Sequence, residues 1–163
     1  MKLLTRAAFA TPPIAILVAG VGAGLTIAAL VLFNGATHIA LLVPSFGASC
    51  ALVFGVPASP FAKPLSVVGG HVVSSMVGLI AMALFGHGIA AMAVGVGGAI
   101  AAMMATRTMH PPAGGDPLII SATSAAPSFL LAPILLGTAT ISLAGLAYGA
   151  LIRQRSHIET KEG

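Results

Sequence analysis

The sequence predicts an all-α membrane protein, a polytopic helix bundle with about four spanning helices and two short broken or re-entrant segments. The first observation is composition, since 58% of the 163 residues are hydrophobic and only 6% are charged. A soluble domain needs a more polar surface, whereas a mean hydropathy of +1.08 suits a chain surrounded by lipid. The second observation is pattern. Long uncharged stretches, punctuated by Pro and Gly, can cross a hydrocarbon core of about 30 Å as helices.

Four apolar stretches are predicted to span the membrane. The first is interpreted as a retained helix rather than a signal peptide, because its 20 residues exceed the usual apolar core of such a signal. Thr11-Pro12 supplies a capping residue and a Pro before it, and Gly86-His87-Gly88 predicts a tight turn between the second and third. The predicted spans are Ile14–Phe33, Ser66–Phe85, Ile89–Thr106 and Phe129–Ile152.

Two apolar pieces remain between these spans and are predicted to be broken or re-entrant. Ile39–Val56 is interrupted by Pro and Gly, and Pro117–Ala126 would be only about 15 Å long as a helix. Pro44–Ser49 and Pro111–Asp116 share a pattern of a Pro, a Gly three positions later and a small capping residue two after that. Two interpretations stay open: a duplication of span, broken segment and span, or chance in a chain rich in Pro and Gly.

The charges predict how the single domain, residues 1–163, is oriented. Basic residues cluster in the short tails 1–13 and 153–163, so the positive-inside rule places both tails in the cytoplasm. We expect the membrane to be a bacterial inner (plasma) membrane. Two tails on one side require an even number of crossings. With four crossings, both broken segments open to the outer side and the two halves are parallel repeats.

The residue inventory argues against several function classes. The formal net charge of +4 comes without a basic stripe, so nucleic acid is not an expected partner. Cys50 is the only cysteine and the five histidines are scattered, so neither a metal site nor a cofactor is predicted. No pairing of nucleophile and base stands out, and three acidic residues leave little for acid–base work, so we expect no enzyme.

The densest polar cluster runs from Arg107 to Asp116 and is the predicted binding site. It combines a permanent cation, the imidazole of His110 and a carboxylate, and Pro111 and Pro112 disfavour helix within it. A cation beside the first turn of a helix is suited to binding an anion. The competing interpretation is an interfacial loop, in which Arg107 faces headgroups and Asp116 caps a helix.

Backbone groups and a few further side chains are expected to complete this site. Gly114 and Gly115 would let the backbone approach a ligand closely, and the helix that follows would aim its free N–H groups at the same place. Transporters with discontinuous helices bind their substrates in this way. The other predicted site residues, which supply a second helix N-terminus, a cation and an imidazole, are Gly47, Ala48, Ser49, Lys63 and His71.

Several segments, taken together, resemble the HPP family of small integral membrane proteins. The run Thr108-x-His110-Pro111-Pro112-Ala113-Gly114 is similar to the signature of that family. The family's other recurring segments are similar to Pro44–Ser49, Pro57, Pro64 and Gly70-His71, so that the likeness extends from about Pro44 to Tyr148. The resemblance implies about four spans. Cyanobacterial and chloroplast-envelope members are associated with nitrite transport, which implies a small monovalent anion as the substrate.

One departure from the family pattern affects this expectation. The residues after the signature are Gly114-Gly115-Asp116, where Gly-Ala-Thr is expected. A carboxylate beside the site repels an anion unless it is paired or protonated. Asp116 could pair with Arg107, or it could indicate a different substrate or proton coupling.

Three function classes remain. The leading one is a channel or secondary transporter for a small monovalent anion, with nitrite as the first candidate and Arg107 as an essential cation. Its partners would be the lipid bilayer, an inorganic anion and further copies of the chain, since four helices are few for enclosing a pore. The second is a non-transporting membrane scaffold or assembly protein, in which the Pro and Gly segments only pack. The third is a membrane enzyme. A polar cavity at the broken segments would favour transport.

Overall fold

Six α-helices account for most of the chain. A computed structural model describes residues 12–37 and 42–162, with side chains for residues 12–36 and 42–152. The helices are α1 (Pro13–Thr37), α2 (Pro44–Gly55), α3 (Pro64–Phe85), α4 (Ile89–Ala105), α5 (Asp116–Thr123) and α6 (Leu136–Glu162). The all-α prediction is confirmed. The predicted cap Thr11 and most of the tail 1–13 lie outside the described residues, while the backbone of 153–162 continues α6.

The four predicted spans are confirmed as helices with small shifts at their ends. α1, α3 and the stretch Pro127–Ile152 are long and apolar enough to cross a membrane. α4 is shorter, and its 17 residues reach about 25 Å. α6 begins later than the predicted Phe129, because Ala132 has an extended backbone (φ −140°, ψ 120°) that separates α6 from the turn before it.

α2 and α6 run in the same direction. A Cβ atom added to Gly137, near the start of α6, would collide with the ring of Phe46, near the start of α2. One added to Gly145, two turns later, would collide with Val53. The two contacts advance together along both helices. Glycine is required at each place because the backbone of α6 approaches large α2 side chains closely.

α3 runs opposite to α2. Ser45 in the first turn of α2 and Ser75 in the middle of α3 both bond Asp116. One turn further along α2, Ser49 bonds His71, which lies one turn earlier in α3. Residue numbers therefore rise along α2 as they fall along α3.

The second broken segment, predicted as Pro117–Ala126, is in the structure the longer stretch 107–123, which follows α3 for most of its length. A Cβ atom on Gly69 would lie 2.8 Å from Cγ2 of Thr108, and one on Gly78 would lie 2.9 Å from Cα of Pro117. Further on, the hydroxyl of Ser121 accepts a hydrogen bond from the turn after α3. The helix α5 is too short to cross, as predicted, but the whole segment runs from one end of α3 to the other.

The two broken segments therefore run in opposite directions, which corrects the expectation of parallel repeats that open to one side. α4 runs opposite to α3, since Gly95 meets Ala81 and Gly98 meets Val77. α1 runs opposite to α2, because Gly22 meets Phe54 and the six-residue link 38–43 is too short for a parallel pair. Successive helices therefore alternate in direction from α1 to α6. The helices of the first half, α1–α3, are antiparallel to the corresponding helices of the second half, α4–α6.

This alternation gathers cations at one end of the bundle, which we call the basic end. Lys63 lies between α2 and α3, and Arg107 lies just after α4, so both belong to the same end. α1 begins at that end, and α6 ends there. The opposite end holds the turns 86–88 and 124–128, which contain no Lys or Arg. Arg107 has a left-handed backbone (φ 58°), which reverses the chain after α4.

Candidate functional site

A chain of hydrogen bonds crosses the centre of the bundle, where the two broken segments meet. Nδ1 of His110 lies 2.8 Å from the carbonyl oxygen of Phe61, and Nε2 lies 2.9 Å from Oγ of Ser49. The same Oγ lies 2.9 Å from Nε2 of His71, whose Nδ1 lies 2.7 Å from Oδ2 of Asp116. The four side chains from His110 to Asp116 have no exposed surface. We call them the polar chain.

Helical periodicity places these groups on facing surfaces. Ser45 and Ser49 are four residues apart and share one face of α2, and His71 and Ser75 do the same on α3. The first segment thus contributes two hydroxyls and α3 contributes an imidazole and a third hydroxyl. Asp116 accepts from Ser45 at 2.7 Å and from Ser75 at 3.1 Å, so both carboxylate oxygens are bonded.

The irregular part of the second segment, which carries His110, is fixed against α3 by close contact. The hydroxyl of Ser74 donates to the carbonyl oxygen of Ala113 at 2.6 Å. A Cβ atom on Gly70 would lie 2.6 Å from Cβ of His110 and 2.8 Å from the carbonyl oxygen of Thr108. Only a glycine at position 70 lets the segment come this near. The adjacent Gly70 and His71 therefore supply the space and the imidazole, respectively.

Asp116 lies where two helices begin. It is the first residue of α5, and it accepts from Ser45 in the first turn of α2. Helix N-termini carry partial positive charge and attract anions. The sequence predicted this pairing of N-termini as a site for a bound anion, and in the structure the carboxylate of Asp116 itself occupies it. Asp116 pairs with His71 rather than with Arg107.

Hydrogen-bond logic limits where protons can reside in the polar chain. The carbonyl oxygen of Phe61 can only accept, so Nδ1 of His110 carries a hydrogen, and Nε2 of neutral His110 is an acceptor. Ser49 has one hydrogen to donate. If it donates to His110, Nε2 of His71 must bring a hydrogen of its own, and the His71–Asp116 pair then holds two protons and is neutral.

The alternative state has one proton fewer. The His71–Asp116 pair then carries one negative charge, and the bare Nε2 of His71 accepts the hydrogen of Ser49. His110 loses its donor in that state. The backbone oxygen of Ser45, 3.0 Å from Oγ of Ser49, is a third acceptor within reach. The orientation of one buried hydroxyl thus depends on the protonation of the pair.

Comparison with known proteins agrees with the sequence motifs. Residues 9–158 match the family model described as the HPP transmembrane region. The chain belongs to the HPP family. Two relatives from Dictyostelium discoideum, both named as transmembrane proteins, are 31% identical over 144 residues and 36% identical over 124 residues. These alignments cover 82% and 71% of this HPP protein, but only 50% and 40% of the relatives. No solved structure matches.

The structure brings together four of the predicted site residues of this HPP protein. Ser49, His71, His110 and Asp116 form the polar chain. Gly115 lies at its edge, since a Cβ atom there would be 3.9 Å from Cβ of Ser45. Gly114 and Pro112 are half-buried beside it. The membership in a membrane family confirms the predicted lipid environment.

Other predicted site residues lie away from the polar chain. Arg107 and Lys63 are exposed at the basic end. Pro111 is exposed, and so are Gly47 and Ala48, which lie on the outer face of α2 with open space beside Gly47. Because α2 turns its Ser45 and Ser49 face inward, Gly47 and Ala48 lie on the opposite side of the helix.

Three contributors to the site were missed from the sequence: the hydroxyls of Ser45 and Ser75 and the carbonyl oxygen of Phe61. The spacing of four residues from Ser45 to Ser49 and from His71 to Ser75 was a usable signal, because it places polar groups on one face of an otherwise apolar helix. No pattern in the sequence marks the carbonyl oxygen of Phe61, since its role depends on how the loop 56–63 folds.

Proposed function

We propose that this HPP protein is a secondary transporter for a small monovalent anion that moves together with a proton, with nitrite as the first anion to test. One observation carries the proposal. The fully buried His110–Ser49–His71–Asp116 chain joins two discontinuous segments inside an apolar bundle. Ionisable side chains at membrane depth are costly, and they characterise proton relays and substrate routes in transporters.

The charge of the His71–Asp116 pair provides the coupling. The deprotonated pair would repel an anion held elsewhere in the bundle, by about 4 kcal/mol at 4 Å and about 2 kcal/mol at 8 Å for an effective dielectric constant of about 20. Protonation removes that charge and admits the anion. His110, with its ring centroid 5.1 Å from that of His71, is a further ionisable side chain in contact with the pair. Proton and anion therefore enter together.

The hydrogen-bond distances within the polar chain are also compatible with a catalytic role for the same residues. Ser49, His71 and Asp116 have the spacing of a nucleophilic triad. We propose proton transfer instead, since Ser49 is fully buried and is bonded by two imidazoles, which leaves no approach for an acyl substrate. A fluorophosphonate probe should leave Ser49 unlabelled in folded protein, and labelling there would support an enzyme.

The basic end is proposed to face the cytoplasm, because Lys63, Arg107 and the basic tails then all obey the positive-inside rule. Two cysteine variants in a Cys50→Ser background test this orientation: Ala58→Cys at the basic end and Ala126→Cys at the opposite end. Both alanines are exposed. An impermeant maleimide added outside should label position 126 only. Labelling of both positions would restore the four-crossing scheme, and labelling of position 58 alone would reverse the orientation.

Flux into proteoliposomes tests the function directly. Purified protein would be compared with protein-free liposomes for nitrite, nitrate, formate and chloride, with and without an inward proton gradient at clamped voltage. We expect nitrite uptake that rises with the gradient and that falls at least tenfold in Asp116→Asn. Uptake that is independent of the proton gradient would indicate a channel. No uptake of any anion by folded, inserted protein would support the scaffold hypothesis.

A further inference from the structure

A cavity of about 350 Å³ extends into the bundle from the basic end, between α2, α6 and the start of α3. Most of its wall is apolar, with Val53 and Pro57 on one side and Leu146 and Ile152 on the other. None of the lining residues that the structure describes is acidic. Nothing in the polar chain lines this cavity, so it is a separate feature of the molecule.

Ser142 lines this cavity, and its hydroxyl has no hydrogen-bond partner. The side chain is 7% exposed, and its Oγ is the one buried side-chain atom left unpaired among the described residues. Its neighbours on α6 behave differently. Thr138 donates to the carbonyl oxygen of Ile134 at 2.6 Å, and Thr140 donates to that of Leu136 at 2.8 Å. A buried hydroxyl that lacks a partner, on a residue that lines a cavity, points to a ligand that would accept its hydrogen.

Positive charge lies at the mouth of the same cavity. Lys63 and Pro64 both line it, and α3 begins there. The first N–H groups of a helix have no partner within that helix, and the N-terminal end of the dipole is positive. Lys63 adds a full charge. The cavity therefore offers a cation at its entrance and a hydroxyl donor inside.

The cavity and the polar chain lie at similar levels along the parallel helices α2 and α6. Because Gly137 meets Phe46 and Gly145 meets Val53 along the parallel helices, Ser142 lies level with the turn of α2 that follows Ser49. A ligand held at Ser142 would thus lie at nearly the same depth as the proton-binding residues.

We propose that this cavity is the anion site, in which Lys63 attracts the anion and the Ser142 hydroxyl donates a hydrogen bond to it. The inference rests on the proposed function for the identity of the anion, and the bound group itself is a small monovalent anion or the anionic headgroup of a lipid. The central cluster cannot serve as this site while Asp116 fills it.

Binding in detergent tests the site apart from transport. The probe is chloride, followed by the broadening of its ³⁵Cl resonance by purified protein, with nitrite added as a competitor. Ser142→Ala and Lys63→Gln should each weaken chloride binding about tenfold, the loss expected for one charge-assisted hydrogen bond. Thr140→Ala removes an exposed hydroxyl from the same helix and should bind as the unaltered protein does. Unaltered binding by both Ser142→Ala and Lys63→Gln would overturn the proposal.

A second arm separates the two sources of the anionic group. Delipidated protein would be mixed with phosphatidylglycerol or phosphatidylcholine and examined by native mass spectrometry. Retention of phosphatidylglycerol that Ser142→Ala abolishes, without any chloride broadening, would assign the site to a lipid headgroup. Retention of neither lipid, with chloride broadening that depends on Ser142, would assign it to a free anion. Absent flux together with Ser142-dependent binding would contradict only the transport proposal, whereas flux with Ser142-independent binding would contradict only the site.

Discussion

The two broken segments resemble each other in sequence, yet they contribute different chemistry. The first, which contains α2, supplies hydroxyls from Ser45 and Ser49, while the second supplies the ionisable groups His110 and Asp116. One segment can therefore orient hydrogen bonds, and only the other can change its charge. His71 on α3 joins them. Neither segment forms the site alone, because Ser45 bonds Asp116 and Ser49 bonds His110 across the two segments.

Removing the charge of the second segment should have the largest effect. Asp116→Asn keeps the shape of the side chain but cannot carry a proton, so we expect proton-driven uptake to fall at least tenfold. The measurement is uptake in proteoliposomes under an inward proton gradient, with thermal unfolding as the control for folding. Uptake by Asp116→Asn at the level of the unaltered protein would show that the carboxylate does not couple transport.

The hydroxyls of the first segment should matter less, and unequally. Ser49→Ala removes the hydroxyl that bonds both His110 and His71, so we expect the barrier to uptake to rise by about 1 kcal/mol, or roughly a fivefold slower uptake. Ser45→Ala should cost less, because its side chain is half-buried and water can replace it beside Asp116. Equal effects of the two variants on uptake would contradict a bridging role for Ser49.

Packing between the second segment and α3 gives a smaller, structural contrast. Gly70→Ala places a Cβ atom against His110 and the backbone of Thr108, and overpacking of this kind costs about 1–3 kcal/mol. The matched variant is Gly47→Ala in the first segment, where nothing lies within 4 Å. We expect a lower Tm in detergent for Gly70→Ala and an unchanged or higher Tm for Gly47→Ala. A similar Tm for both would indicate that the close approach at position 70 is readily relaxed.

Much of the fold was predictable because Pro and Gly act locally. The turn 86–88 separates α3 from α4 as predicted, and α3 begins at Pro64, two residues before the predicted Ser66. The direction of the broken segments was not predictable in this way. A count of spans depends on helix length, and the segment 107–123 runs along the length of α3 with a helix of only 8 residues and irregular chain before it.

The candidate site was predicted by residue type but not by pairing. His110 and Asp116 stood out because ionisable residues are rare in this chain. Their partners Ser49 and His71 come from helices separated by many residues, and only packing determines which faces meet. Pairing of Asp116 with Arg107, nine positions away, was one of the alternatives left open, but the left-handed turn at Arg107 directs the chain inward while that side chain stays exposed.

That turn has a consequence for the evolution of the protein. An arginine in left-handed backbone costs about 1 kcal/mol relative to glycine, which adopts this conformation freely. Arg107→Gly should therefore raise the Tm slightly while it removes a cation from the basic end. If the same variant transports more slowly, Arg107 lowers stability but supports activity. Selection for the cation would then explain why glycine, which is less strained in this conformation, has not replaced it.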